Sequence, residues 1–110
     1  MKLGNLVQDR WVEGSGAGRV LTSAVTGEPD AAISSDGLDF KAILDHAKTV
    51  GGPNLRKLTF HERGFMLNDL AIYLNERKQE FYELSTQTGA TKRDSWPDID
   101  GGISTVFVFS

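Results

Sequence analysis

The chain contains no cysteine, two histidines and three prolines in 110 residues. The absence of cysteine excludes disulfides, thiolate nucleophiles and cysteine-ligated zinc from this segment. His46 and His61 have no third ligand spaced to join them, and no His-x-x-x-His or Glu-x-x-His pair exists, so a transition-metal centre is not expected. No run approaches the roughly 18 apolar residues of a membrane span, and Met1-Lys2-Leu3-Gly4-Asn5 lacks the apolar stretch of a signal peptide. A cytoplasmic protein is therefore expected. Positive charge is also short: 12 basic against 15 acidic residues leave a net charge of -3, which gives no electrostatic case for nucleic acid or an anionic membrane. A small basic cluster, Lys92-Arg93, reads as a solvated turn and not a phosphate site.

What is present suits a folded soluble chain: 39% hydrophobic and 25% charged residues, in a length that allows at most one domain with a modest core. Residues 5–13 suit a short strand rich in β-favouring Val and Trp. Gly14, Gly16 and Gly18 then predict a hairpin turn, and residues 19–25 a returning strand, giving a hairpin over 5–25. Gly14-x-Gly16-x-Gly18 is not a dinucleotide loop, because its third glycine comes one residue early and a strand follows, not a helix. Thr26-Gly27-Glu28-Pro29 is a second turn, and residues 31–34 offer a third strand, so the start is a hairpin or a three-stranded meander.

Helices follow. The first is expected over about 39–50, capped by Asp36 or Asp39, with Phe40, Ile43, Leu44 and Ala47 on one face and Gly51-Gly52-Pro53 as its breaker. The second is the most pronounced feature of the chain. Thr59 and Glu62 have capping-box spacing, Gly89 suits a left-handed closure, and Leu67, Leu70, Ala71, Leu74, Phe81 and Leu84 keep helical period between them. A continuous helix over 60–88 would be roughly 43 Å long. A compact globule of this chain length has a radius of gyration of roughly 13 Å and so a diameter of about 34 Å. A helix longer than its own body points to a piece of something larger. A third helix is expected over 96–110, opening at Asp94-Ser95-Trp96-Pro97, although the run from Ile103 to Phe109 also alternates like a strand. The fold class is thus an α+β fragment: an antiparallel hairpin or meander, then three helices, the second long.

The residues alone yield no catalytic mechanism. The chain's serines lack a nucleophile-elbow context. Asp94, Asp98 and Asp100 complement a helix start. His61 and Glu62 are adjacent on a helix and point apart. Trp11, Trp96, Phe81 and Tyr82 could form a stacking platform, but their spacing favours core packing. Gly101-Gly102 inside a helix costs about 2 kcal/mol relative to alanine, which suggests a neighbouring element approaching closely or a substrate passage, with packing favoured.

The order of these elements resembles the N-terminal portion of the aldehyde dehydrogenase superfamily. The resemblance rests on the Trp11 hairpin, Thr26-Gly27-Glu28, Glu62-Arg63 opening a helix that runs through Leu70-Ala71-Ile72-Tyr73-Leu74, and the Thr88-Gly89 exit. The family's Thr-Gly-Lys exit is Thr88-Gly89-Ala90 here. Leu74-Asn-Glu-Arg-Lys78, Thr88-Gly-Ala-Thr91, Arg93-Asp-Ser-Trp96 and Asp98-Ile-Asp-Gly-Gly-Ile103 are similar to the bifunctional phenylacetic acid degradation branch. In that branch an aldehyde dehydrogenase domain precedes a hydratase-like domain that opens a ring-expanded oxepin thioester.

The resemblance implies part of an α/β aldehyde dehydrogenase fold that uses NAD or NADP, a cysteine nucleophile and a glutamate base. None of those groups has a matching position in these residues, so no catalytic or cofactor-binding residue is carried over, and no cofactor is expected on this chain alone. What carries over is architectural: helices that pack on the cofactor-binding domain. The expected partners are the rest of the dehydrogenase domain or another copy of the chain, in a homo-oligomer. The resemblance also implies a structural monovalent cation, held by the carbonyls of Leu21 and Thr22 and by Asp98 or Asp100. The competing readings are a free-standing α+β module that binds a partner through an exposed apolar helix face, and a truncated product without function.

Overall fold

The computed structural model describes all 110 residues. The chain forms two compact units, Met1–Lys57 and Leu58–Ser110. The α+β class holds, with short strands first and helices after them.

In the first unit, β1 (Lys2–Leu3), β5 (Pro29–Ile33) and β4 (Arg19–Thr22) form a three-stranded sheet with β5 in the centre. β1 runs parallel to β5 and β4 antiparallel to it. β2 (Asn5–Val7) and β3 (Arg10–Val12) form a separate two-stranded hairpin. This corrects the hairpin expected over 5–25. The tight turn is Gln8-Asp9, with φ of 50° and 62°, the left-handed pair that matches the twist of a two-residue hairpin. The glycine-rich residues 14–18 join the two sheets instead. A Cβ on Gly14 would lie 2.2 Å from the Ser34 carbonyl oxygen, so only glycine fits that approach. The Lys2 ammonium holds the same segment by donating to the carbonyls of Gly14 and Gly16, the latter at 2.9 Å. The Thr26-Gly27-Glu28 turn is where the sequence places it, between β4 and β5. The Ser23 hydroxyl accepts from the Val25 and Thr26 amides, and Gly27 sits at φ 74°.

The helix α1 (Phe40–His46) starts on Asp39, whose side chain accepts from the Ala42 amide. Gly51-Gly52-Pro53 does not end the helical path. A π-turn over Ala47–Gly51 leads into α2 (Gly52–Lys57). Proline lacks an amide hydrogen and its ring crowds the carbonyl four residues earlier. The wider turn, in which the Gly52 amide reaches the Ala47 carbonyl, accommodates it.

The second unit contains α3 (Phe60–Glu76), α4 (Lys78–Thr86) and α5 (Lys92–Val108). α3 opens with the expected capping box: Thr59 Oγ1 accepts from the Glu62 amide and the Glu62 carboxylate accepts from the Thr59 amide at 2.7 Å. The continuous helix over 60–88 is not observed. Arg77 leaves the helical region at φ -106°, ψ 7°, and its amide donates to the Leu74 carbonyl three residues back. Its guanidinium folds back over the Tyr73 ring at 3.7 Å, a cation–π contact that competes with continuing the helix. α3 is then about 26 Å long, and the length argument for a larger body falls away. The path closes at Gly89 with φ 82°, as the sequence implies. α5 starts four residues earlier than expected, on a second capping box made by Thr91 and Asp94, and the terminal run is helical and not a strand.

The core is slight. Ala31, Ala71, Tyr82 and Ile103 are the buried hydrophobic residues. On the stripe expected to be buried, Leu67, Leu74 and Phe81 are half-buried, while Leu70 and Leu84 are exposed. Trp11 and Trp96 are exposed too and do not pack in a core. The accessible surface is 8365 Å² for 12.0 kDa. Even two separate globules of about 6 kDa would expose only about 7,200 Å² together. The sequence carries more apolar surface than its own packing covers.

Candidate functional site

A polar cluster joins α4 to α5. Lys78 and Tyr82 lie one helical turn apart on α4, so they share a face. Both reach Asp100 on α5: Lys78 Nζ donates to Oδ1 at 2.7 Å and the Tyr82 hydroxyl donates to Oδ2 at 2.5 Å. The hydrogen bond from Lys78, then that from Tyr82, holds the Asp100 carboxyl below the usual carboxylate range. Tyr82 moves the other way. Its hydrogen bond to the Asp100 carboxylate, followed by burial and that anion's charge, pushes the phenol up to about 12. The cluster is saturated: the ammonium neutralises the carboxylate, and the phenol is locked as a donor. It holds two helices together and has no group free for acid–base work. Nearby, Ser85 and Ser95 share a hydrogen bond of 2.7 Å, and Ser95 also donates to the Thr91 carbonyl.

On the outer side of this cluster, Tyr82, Lys92, Arg93 and Trp96 line one open pocket of about 450 Å³. Sequence reasoning treated these residues separately, as a solvated turn and as core aromatics. The structure brings them together because the Thr91 cap starts α5 early and places Lys92 and Trp96 one turn apart. A second, more apolar groove of about 670 Å³ lies between the start of α3 and the end of α5, with Phe60, Phe65, Leu67, Val108 and Phe109 in its walls.

The remaining candidates do not assemble into chemistry. His46 Nε2 lies 3.4 Å from the Asp9 carboxylate, and Gln8 donates to the Ala42 carbonyl, so the hairpin tip rests on α1. His61 is exposed, stands edge-to-face with Phe60 and lines the apolar groove. Of the residues expected at a cation site, Leu21 and Thr22 lie on β4 in the first unit, beside a register shift in the β4–β5 pairing. Asp98 and Asp100 lie on α5 in the second unit, Asp98 exposed and Asp100 committed to Lys78 and Tyr82. No group of three or more acidic or histidine side chains is placed to hold a metal ion. No helix is long and apolar enough to cross a membrane.

No protein-family model matches the chain. It is 43% identical over 107 residues, 96% of its length, to a 3,4-dehydroadipyl-CoA semialdehyde dehydrogenase of Aromatoleum evansii. The chain is related to an aldehyde-dehydrogenase-type protein. The resemblance drawn from its Trp11 hairpin, its Thr26-Gly27-Glu28 turn and its Thr88-Gly89 exit is thereby borne out. The chain spans 21% of the length of that dehydrogenase.

Proposed function

We propose that this chain is a supporting segment of an NAD(P)-dependent aldehyde dehydrogenase that oxidises a CoA-linked semialdehyde in aromatic ring degradation, as in the phenylacetate branch. The observation that carries the proposal is the 43% identity over nearly the whole chain to a CoA semialdehyde dehydrogenase about five times as long. In such a dehydrogenase a cysteine elsewhere in the protein would add to the aldehyde, and the nicotinamide would supply the hydride acceptor that leaves a thioester for water to cleave. This chain has no cysteine, so its share is positional. Its exposed Leu70, Ile72, Leu84 and Phe107 supply apolar surface for the cofactor-binding part of the dehydrogenase, or another copy of the chain, to cover. The assembly is a cytoplasmic homo-oligomer in this reading. The monovalent cation between the Leu21 and Thr22 carbonyls belongs to the same reading.

The alternative, a free-standing module that binds a partner, draws on the apolar groove walled by Phe60, Phe65 and Phe109. A chimera separates the two. The matching residues of the A. evansii dehydrogenase are replaced by this chain, and reduced nicotinamide is followed with its CoA semialdehyde as substrate. A supporting segment yields a soluble chimera with turnover within about tenfold of the parent. A soluble, folded chimera without turnover would contradict the proposal and favour the module.

A further inference from the structure

Two of the chain's aspartates are followed by glycine, in Asp36-Gly37 and Asp100-Gly101. A glycine has no side chain to keep its amide nitrogen away from the preceding carboxyl. We propose that Asp36 is a site of spontaneous isomerisation to a β-linked aspartate through a cyclic imide, and that the fold protects Asp100 from the same reaction.

Three observations carry this. The first is the carboxyl group. Asp36 is exposed and lines an open recess of about 510 Å³, and no hydrogen bond or ion pair engages its side chain. The Asp100 carboxylate accepts from Lys78 at 2.7 Å and from Tyr82 at 2.5 Å. Those bonds hold it below the usual carboxylate range, and an ionised, fully engaged carboxylate resists attack by an amide nitrogen. The second is the nucleophile. The Gly37 amide donates to no partner. The Gly101 amide lies inside α5, where it donates to the carbonyl four residues back. The third is backbone freedom. Asp36 and Gly37 are the middle residues of a turn closed by the Leu38 amide on the Ser35 carbonyl at 3.2 Å, with Gly37 at φ 79°. The peptide between them must rotate to bring the nitrogen to Asp36 Cγ. That rotation breaks the bond from the Ser15 amide to the Asp36 carbonyl, 2.8 Å long, within an exposed turn. The same rotation at Asp100 would open the interior of α5.

The reaction needs no partner but water. The Gly37 nitrogen bonds to Asp36 Cγ, and the carboxyl hydroxyl and the amide hydrogen leave together as water, giving a five-membered imide. Water then adds to one of the two imide carbonyl carbons. Cleavage of the bond from nitrogen to Cγ restores aspartate. Cleavage of the bond from nitrogen to the main-chain carbonyl carbon leaves a chain that runs through Cβ and Cγ, one methylene longer, with a free α-carboxylate. That carboxylate stands where the Asp36 carbonyl accepted the Ser15 amide. The added methylene lies between β5 and Asp39, the cap of α1. The modification thus falls on the joint between the sheet and the helix of the first unit. It rests on these residues and not on the dehydrogenase reading.

The test ages the purified 110-residue chain for weeks at physiological temperature, in native buffer and in denaturant, and digests it with trypsin. Asp36 then lies in the peptide 20–41 and Asp100 in the peptide 94–110. β-Linked aspartate is counted with an isoaspartyl carboxyl methyltransferase and labelled S-adenosylmethionine, and is placed by electron-transfer fragmentation. In native buffer the conversion at Asp36 should exceed that at Asp100 about tenfold or more, because Asp100 waits on the opening of α5. In denaturant the two should convert alike. Asp36→Asn, which loses ammonia in place of water from the same turn, should convert faster than the parent. Three results would each overturn the proposal: no β-linked aspartate at residue 36, equal conversion at residues 36 and 100 in native buffer, or an Asp36→Asn chain that does not outpace the parent.

Discussion

Tyr82 donates its phenolic hydrogen to Asp100 across α4 and α5, and the same carboxylate accepts the Lys78 ammonium at 2.7 Å on its other oxygen. This one carboxylate gathers the polar ends of two helices and has a measurable pH signature at each end of the scale. The phenol is pushed up to about 12, so between its ordinary value near 10 and that point the folded state holds a proton that the unfolded chain has lost. The stabilisation is complete below pH 10 and fades as pH rises towards about 12. Ultraviolet titration should therefore show a late phenolate step near 12 that Tyr82→Phe removes.

Asp100 has the opposite sign. Its folded pKa is lowered, so its contribution is present above the ordinary carboxylate pKa of about 3.9 and is lost as pH falls through the lower folded value. Asp100→Asn should lower the melting temperature at pH 7 and flatten the acid limb of the stability curve. A variant that melts like the parent at pH 7 and still shows the acid limb would mean that the cluster holds nothing together.

The caps of α3 and α5 should behave alike. Thr59→Ala and Thr91→Ala each remove a side-chain acceptor from an N-terminal amide. Each should cost about 1 kcal/mol, read by denaturant melts. Serine at either position should restore most of the loss.

Gly101 and Gly102 give a sharper contrast. A Cβ at either position meets nothing within 4 Å, whereas one on Gly14 meets the Ser34 backbone at 2.2 Å. Gly101→Ala and Gly102→Ala should each stabilise the chain alone by about 1 kcal/mol through helix propensity, and Gly14→Ala should destabilise it. If another part of the dehydrogenase packs over these two glycines, the same alanines should lower the stability of the chimera. Neutral or stabilising behaviour in both settings would show that nothing approaches them.

Much of the local structure was legible in the sequence. The Thr59–Glu62 box, the Gly89 closure, the Asp39 cap and the Thr26-Gly27-Glu28 turn are encoded by side chains acting within a few residues. What was hidden depends on distant partners. Nothing near Arg77 marks a break, since neither glycine nor proline is there; the Tyr73 ring and the reach of Lys78 and Tyr82 to Asp100 accompany it. Residues 14–18 read as a turn because the strand that pairs with β4 lies after it and not before. Leu70 and Leu84 keep helical period yet stay exposed, because period marks a face meant for burial without saying whether this chain covers it. The early start of α5 was readable in principle: Thr91-x-x-Asp94 is a capping box with the shorter acid. That start is what assembles Lys92, Arg93 and Trp96.

The purified chain should not reduce NAD or NADP with any aldehyde or CoA semialdehyde, because it contains no cysteine to form the thiohemiacetal. Absorbance at the reduced nicotinamide band is sufficient to check this. Steady, enzyme-dependent reduction would mean that a nucleophile other than cysteine operates in these residues.

The proposed supporting role requires these residues to present apolar surface to the rest of a dehydrogenase or to another copy of the chain. Light scattering on the isolated chain, across rising concentration and paired with a thermal melt, tests it most directly. Association or aggregation is expected as concentration rises, with a broad, concentration-dependent melt, because Phe60, Phe65, Leu84 and Phe109 stay exposed. A sharp monomer with one cooperative transition, unchanged at high concentration, would contradict it and identify a self-sufficient module.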